Sequence, residues 1–197
     1  MEDPLPVADQ LFPHIRIVMG MVVGLGITRI LMGVAGLVQH PDRARVSLIH
    51  ILWAFSILVE LVFYWWWQFA LFAIHDWNFA LFLFVVGYAV VLFLMAALLF
   101  PDSLAEYKGY EDFFLKRRKW FFALFGLTFV FDLIDTLIKG EAHFERFGAE
   151  YLVQTPLGVI LSAIAVWTES RRYHLALIII HIIYQGLWAA RLLYTFN

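Results

Sequence analysis

Six long apolar stretches alternate along the chain with short polar segments. Each has about the 20 residues that an α-helix needs to cross the hydrocarbon core of a bilayer. Pro156 lies inside the fifth stretch, where we expect a kinked helix. The pattern predicts an all-α bundle of six transmembrane helices that forms a single polytopic domain over residues 1–197. The predicted spans lie near residues 15–39, 46–70, 79–100, 120–138, 149–167 and 173–196.

The composition supports a membrane environment. Hydrophobic residues make up 63% of the chain and charged residues 15%, with a mean hydropathy of +0.80. A soluble domain is about one quarter charged, so lipid must cover much of this apolar surface. The net charge of −2 gives no reason to expect nucleic acid as a partner. The expected partner is the lipid bilayer, and the expected location is the inner membrane of the cell.

Basic residues in the connections between the helices predict the orientation of the bundle. The first, third and fifth connections carry nine Lys and Arg residues, whereas the second and fourth carry only Lys139 and Arg146. Basic connections remain on the cytoplasmic side of a membrane, so we expect both termini on the non-cytoplasmic side. The nine basic residues are Arg43, Arg45, Lys108, Lys116, Arg117, Arg118, Lys119, Arg171 and Arg172.

The third connection, residues 101–119, is the longest one that we expect in the cytoplasm. Pro101 ends the third span, and Ser103 and Glu106 have the spacing of a capping box. Aromatic and acidic residues then precede a basic run at residues 116–119. This pattern predicts a short interfacial helix that leads into the fourth span.

Five charged residues lie within the predicted spans and are the candidate functional residues. A charged side chain that meets lipid at the centre of a bilayer costs on the order of 3 kcal/mol. We therefore expect these side chains to face a polar interior formed by helices one, two, four and six, with helices three and five more peripheral. Gln185 lies on the same face of helix six as His181. The charged residues are Arg29, Glu60, Asp132, Asp135 and Arg191.

The depth of these charges predicts how they pair. Arg29 and Glu60 both lie near the middle of their spans, so we expect them to contact each other. Arg191 is best placed for Asp135, which leaves Asp132 without a cation. Burial favours the neutral form of such a carboxyl group. Because a carboxyl that exchanges a proton can drive a transport step, the leading hypothesis is a transport or channel-like protein for a proton, a cation or a small polar solute.

Two other functions fit the same residues. In the first, the charges only fix the register of the helices, and the chain is a scaffold or a subunit that binds a second copy or another membrane protein. In the second, His50 and His181 hold haem as its two axial ligands, which would make the chain an electron carrier. These two histidines are also candidates for a proton relay. No other cofactor is predicted.

Neither the motifs nor the metal-binding residue types indicate an enzyme. The chain lacks cysteine, a nucleophile elbow, an HExxH motif and a glycine-rich phosphate loop. His75, Asp76 and His143 are weak candidates for a metal site because they lie in two separate connections. We therefore predict no metal site, and the sequence leaves the transported species open.

Overall fold

A computed structural model describes residues 7–40, 45–74 and 76–195, with side chains for all of these except residues 7–10, 147–149 and 192–195. Within these residues the chain is all-helical. Six α-helices follow one another, and a short 3₁₀ helix, Gln68–Ala73, continues the second. The α-helices are α1 (Val7–Gln39), α2 (Leu48–Trp67), α3 (Phe79–Ala97), α4 (Tyr110–Ile138), α5 (Glu141–Trp167) and α6 (Arg171–Thr195).

The prediction of six membrane-length helices is confirmed, since six helices are long and apolar enough to span a membrane. The starts of these helices have local causes. The side chain of Asn78 accepts a hydrogen bond from the Leu81 amide at 2.9 Å and caps α3. α5 runs through Pro156. The length and composition of these six helices are those of a multi-pass membrane protein.

The start of α4 differs from the prediction. Residues 101–109 form turns rather than an interfacial helix, and α4 begins at Tyr110, ten residues before the predicted span. Gly109 adopts a φ of 143°, which favours glycine, and the Tyr110 amide bonds to the Arg45 carbonyl at 3.3 Å. Glu111 and Asp112 lie in the first turn of α4, where their negative charges interact favourably with the positive end of the helix dipole. The basic run at residues 116–119 is therefore part of α4.

The helices run up and down, so the bundle has two ends. At the termini end, Phe12 of α1 packs against Phe72 and Trp77 of the α2–α3 connection. At the basic end, Arg171 bonds to Glu111 at 2.9 Å. The most extensive contacts are those of α4 with α5 and of α1 with α3. α5 and α6 contact each other much less, although they are consecutive.

A layer of aromatic rings fills the bundle between the basic end and its centre. Trp53 of α2 packs edge-on against Phe121, Phe122 and Phe125 of α4, with ring centroids 4.9–5.4 Å apart. All four side chains are buried. We call these four residues the aromatic layer. On its other side, towards the termini end, the interior becomes polar.

Candidate functional site

A polar cavity of about 70 Å³ occupies the half of the bundle nearer the termini end. Its walls come from α2, the 3₁₀ helix, α3, α4, α5 and α6. α1 contributes none of the lining in the part of the chain that the structure describes, which corrects the expected interior of helices one, two, four and six. The titratable residues that line the cavity are Glu60, Tyr64, Tyr88, Asp132, Asp135, Lys139, His143, Tyr151, His181 and Tyr184.

Glu60 joins α2 to α6 inside this cavity. Gln185 donates through Nε2 to Glu60 Oε1 at 2.8 Å and to the Ser56 carbonyl at 3.1 Å. His181, one turn earlier on α6, places Nε2 3.4 Å from the same Glu60 oxygen. Glu60 therefore has an amide donor and an imidazole nearby, and Nε2 of that imidazole makes no hydrogen bond among the described residues.

Asp132 binds a tyrosine rather than a cation. Tyr88 of α3 donates its hydroxyl to Asp132 Oδ1 at 2.5 Å. Tyr88 is buried, and its ring packs against Tyr64 and Phe131. The hydroxyl of Tyr64 in turn donates to the Val85 carbonyl at 2.6 Å. The carboxylate thus faces an aromatic wall and shares one cavity with Glu60 and His181.

Asp135 is paired with Lys139, which caps the end of α4 four residues later, and both side chains are almost completely buried. The predicted pair of Asp135 with Arg191 is wrong, because Arg191 bonds to Glu150 of α5 at 2.5 Å. The cause is that residues four apart on a helix lie on one face, so Lys139 reaches Asp135 without any help from another helix. The estimated depth of the residues in the membrane did not identify Lys139 as the partner of Asp135.

The predicted pair of Arg29 with Glu60 is also wrong. Arg29 donates to Asp102 Oδ1 at 2.6 Å and to the Phe100 carbonyl at 2.5 Å. α1 has 33 residues and is about 50 Å long, so it extends beyond a hydrocarbon core of about 30 Å. Arg29 consequently meets the segment that follows α3 at the basic end. The Asp102 side chain is 90% exposed, so this pair does not belong to the cavity.

Three buried oxygens in the cavity lining have no hydrogen-bond donor among the described residues. They belong to Gln68, Asp135 and Gln185, whose side chains are more than nine-tenths buried. The orientation of the Gln185 amide follows from its two accepting neighbours, which require Nε2 on their side and turn Oε1 away. Unpaired buried acceptors are costly, and they are satisfied by a donor such as water or by a cation.

The polar lining ends at the aromatic layer. His181 stacks on Trp53 with centroids 5.8 Å apart, and His174 stacks on Phe122 with centroids 5.1 Å apart. His174 lies on the basic side and its Nε2 is 3.0 Å from the Thr168 carbonyl. Seven residues of α6 separate the two histidines, which is about 10 Å along the helix. The polar cavity therefore lies on the termini side of the aromatic layer.

His50 and His181 pack in separate clusters. Nε2 of His50 lies 2.7 Å from the Leu99 carbonyl, and its ring stacks on Tyr110 with centroids 4.5 Å apart. His181 instead contacts Trp53, Phe125 and Glu60. A haem held by both would need two free imidazole nitrogens facing one wide space. Nδ1 of His50 has no hydrogen-bond partner among the described residues, but His50 is no part of the cavity lining, so the two imidazoles do not face one space.

At the termini end, the cavity is lined by residues from the end of α4 and the start of α5. His143 lines it and lies near Trp67, with ring centroids 6.2 Å apart. Partial burial, and then the positive charge of Lys139, hold the pKa of His143 below its ordinary value. The imidazole of His143 is therefore mostly neutral at neutral pH. His75, the other histidine of the weak metal candidate, lies outside the described residues.

Several lining residues were missed because the search of the sequence considered only charges and histidines. Tyr88 of α3 and Tyr151 and Gln154 of α5 line the cavity, although those helices were expected to be peripheral. Glu150 falls within the predicted fifth span, so the same charge criterion should have included it. Tyr88 is the most polar side chain in α3, which was an available signal.

Comparisons of the chain with protein-family models, with curated proteins and with solved structures found no match.

Proposed function

We propose that this chain is a small transport or channel-like membrane protein that moves protons or a small cation, with Glu60 and Asp132 as the groups that carry them. The observation that supports this proposal best is the shared cavity of these two acids with His181. The proposal omits the small polar solute that the sequence hypothesis also allowed, because a cavity of about 70 Å³ holds only a few water molecules.

The charge balance of the cavity favours a positive species. Three carboxylates line it, and Lys139 accounts for one of them through its ion pair with Asp135. Glu60 and Asp132 then have no Lys or Arg partner among the described residues of the lining. Two acids in a weakly polar space need protons or a cation to balance their charge. The unpaired amide oxygens of Gln68 and Gln185 add neutral acceptors of the kind that coordinate a cation.

Transport through the cavity would require the aromatic layer to open. A carried proton or cation would reach Glu60 and His181 from the termini end and would leave past Trp53 after these rings move. A shift of α6 against α2 is the simplest such motion, since the stacking of His181 on Trp53 joins these two helices. Carriers that use one central site alternate between two such half-open states.

Proton flux in liposomes tests the proposal. The purified chain is reconstituted with a pH-sensitive dye inside, and a pH gradient is imposed with and without Na⁺ or K⁺ gradients. We expect flux from the wild type and none above protein-free liposomes from Asp132→Asn. The amide oxygen of asparagine can still accept the hydrogen bond from Tyr88, so the fold should survive. The matched control is Asp76→Asn, which changes an exposed acid in the α2–α3 connection and should leave flux intact.

The scaffold alternative makes the opposite prediction. If the wild type carries no proton or cation under any imposed gradient, the transport proposal is rejected. A thermal melt of each variant separates loss of flux from loss of folding. If Asp132→Asn lowers the melting temperature strongly, the acid acts mainly as a structural partner of Tyr88.

A further inference from the structure

A second, apolar groove lies between α5 and α6 and opens sideways on the bundle. Its volume is about 530 Å³. It exists because α5 and α6 contact each other so little. Its rim is formed by exposed apolar side chains, and the ion pair of Glu150 with Arg191 lies at its termini end. The rim residues are Val153, Leu157, Ile180 and Leu187.

The groove and the polar cavity share a wall. Phe125, Phe129, Gln154, His181, Tyr184 and Trp188 line both spaces. Part of this wall is a single hydrogen bond, in which Tyr184 donates to Gln154 Oε1 at 2.8 Å. His181 forms another part, and its ring lies between the groove and Glu60. Rotation of a few side chains would therefore join the apolar groove to the acidic cavity.

We propose that the two spaces together bind an amphipathic amine, whose ammonium group enters the acidic cavity while its apolar tail lies in the groove. This inference rests on the proposed function, because it names the substrate class of the same cavity. The ligand would reach the site from the bilayer through the opening between α5 and α6, rather than from water.

Charge complementarity selects the head group. The cavity lining has two carboxylates, Glu60 and Asp132, in excess of its lysine, so it repels an anionic head. An ammonium group can donate to Glu60 and to the unpaired Gln185 oxygen. The rings of Phe125 and Phe129 in the shared wall offer faces that attract a cation.

The groove selects the tail. Its wall is apolar except for the shared polar residues and the terminal ion pair, and that pair is internally neutral. Relative to free ligand in water, a chain of methylene groups is stabilised both in the bilayer and along such a wall, so an amine with a tail is concentrated at the groove, whereas a short amine is not. The proposal therefore predicts that both the charge and the tail are needed for tight binding.

Calorimetric titration of the chain in lipid nanodiscs tests this, with protein-free nanodiscs as the blank for partitioning into lipid. The probe is n-decylammonium. Ethylammonium has the charge without the tail, decyl sulfate has the tail with the opposite charge, and decanol has the tail without charge. We expect saturable binding of n-decylammonium that is at least about 100-fold tighter than that of the other three probes.

Two variants on α6 separate the groove from the general lipid surface. Leu187→Trp fills the groove and should weaken binding of n-decylammonium at least about tenfold. Ile183→Trp makes a similar change one turn away, outside the groove, and should leave binding unchanged. The pair is matched, because Leu187 is 60% exposed and Ile183 is 59% exposed. Glu60→Gln should weaken binding of n-decylammonium and leave the weak binding of decanol unaltered.

Each remaining outcome counts against a defined claim. Binding of decyl sulfate or decanol as tight as that of n-decylammonium would show that the groove accepts any apolar tail, which overturns the inference. Equal binding of ethylammonium, or equal effects of the two tryptophan variants, also overturns it while leaving cation transport by the cavity intact. Tight, groove-dependent binding of n-decylammonium without any flux in liposomes would retain the binding site and reject transport.

Discussion

The ion pair of Asp135 with Lys139 should be one of the strongest electrostatic contributions to the stability of the bundle. The Lys139 side chain is 2% exposed and that of Asp135 is 8% exposed. Removal of one partner from a buried pair leaves an uncompensated charge, which costs about 3–5 kcal/mol. We therefore expect Lys139→Met to lower the free energy of unfolding by an amount in that range. The other Asp135 oxygen has no donor among the described residues to offset the loss.

Asp135→Asn should cost less than Lys139→Met. The remaining ammonium lies at the end of α4, and the flexible lysine stem can extend towards water. The loss is then mainly that of a charged hydrogen bond, about 1.5–3 kcal/mol. The double variant should cost less than the sum of the two, with a coupling energy of about 2 kcal/mol. The free energies are measured by titration with SDS in mixed micelles.

α4 also provides a matched control for this cycle. Lys116 and Asp112 have the same spacing of four residues on the same helix and bond at 2.9 Å, but the Lys116 side chain is largely exposed. Solvent screens such a pair, so its cycle should show no measurable coupling. Additive costs for Asp135 and Lys139, like those of the control pair, would refute the claim that this pair is buried and coupled. A cycle of Asp135 with Arg191 should be additive.

Three further predictions concern packing, pH and topology. Gly158→Ala should lower the free energy of unfolding by about 1–3 kcal/mol through overpacking, because its new methyl group would lie 2.6 Å from Cε1 of Phe129. The new methyl group of Gly186→Ala meets no atom within 4 Å, so this variant should be neutral or stabilising in a thermal melt. Because the folded-state pKa of His143 lies below its unfolded value, the unfolded chain binds more protons between those two values, so stability should fall as the pH drops below about 6.5. His143→Gln should make the melting temperature less sensitive to pH between about 7.5 and 5.5, and an unchanged sensitivity would contradict this assignment. In the cysteine-free background, Asp76→Cys should react with a membrane-impermeant thiol reagent on intact cells and Lys119→Cys should not, and the reverse pattern would overturn the predicted orientation.

The six helices could be predicted from the sequence because membrane length is a local property of the chain. An apolar run of about 20 residues indicates a span whatever its neighbours are. The same logic identified Glu60, Asp132 and Asp135 as interior residues, and the structure places all three in one cavity. The cost of exposing a carboxylate to lipid applies to every packing of the helices.

The partners of these charges depended on which helices are neighbours and how far each extends along the bundle. Arg29 and Glu60 have similar positions within their spans, yet the length of α1 brings Arg29 to Asp102 instead. Arg191 bonds to Glu150, and Asp135 has its own lysine on α4. An ion pair forms only within a few ångströms, whereas depth estimated from sequence is uncertain by several residues.

Only the tertiary structure decided which further residues line the cavity beside the acids. Tyr88 belongs to a helix without charged residues, and Tyr151 and Gln154 follow the last charged residue of α5. Only their packing against α4 turns them towards the acids. The groove between α5 and α6 arises from contacts that these two helices do not make, a property that no single segment contains. Hydrophobic length acts within one helix and can be read in order along the chain, whereas a cavity is the space left between helices and exists only once all of them are placed.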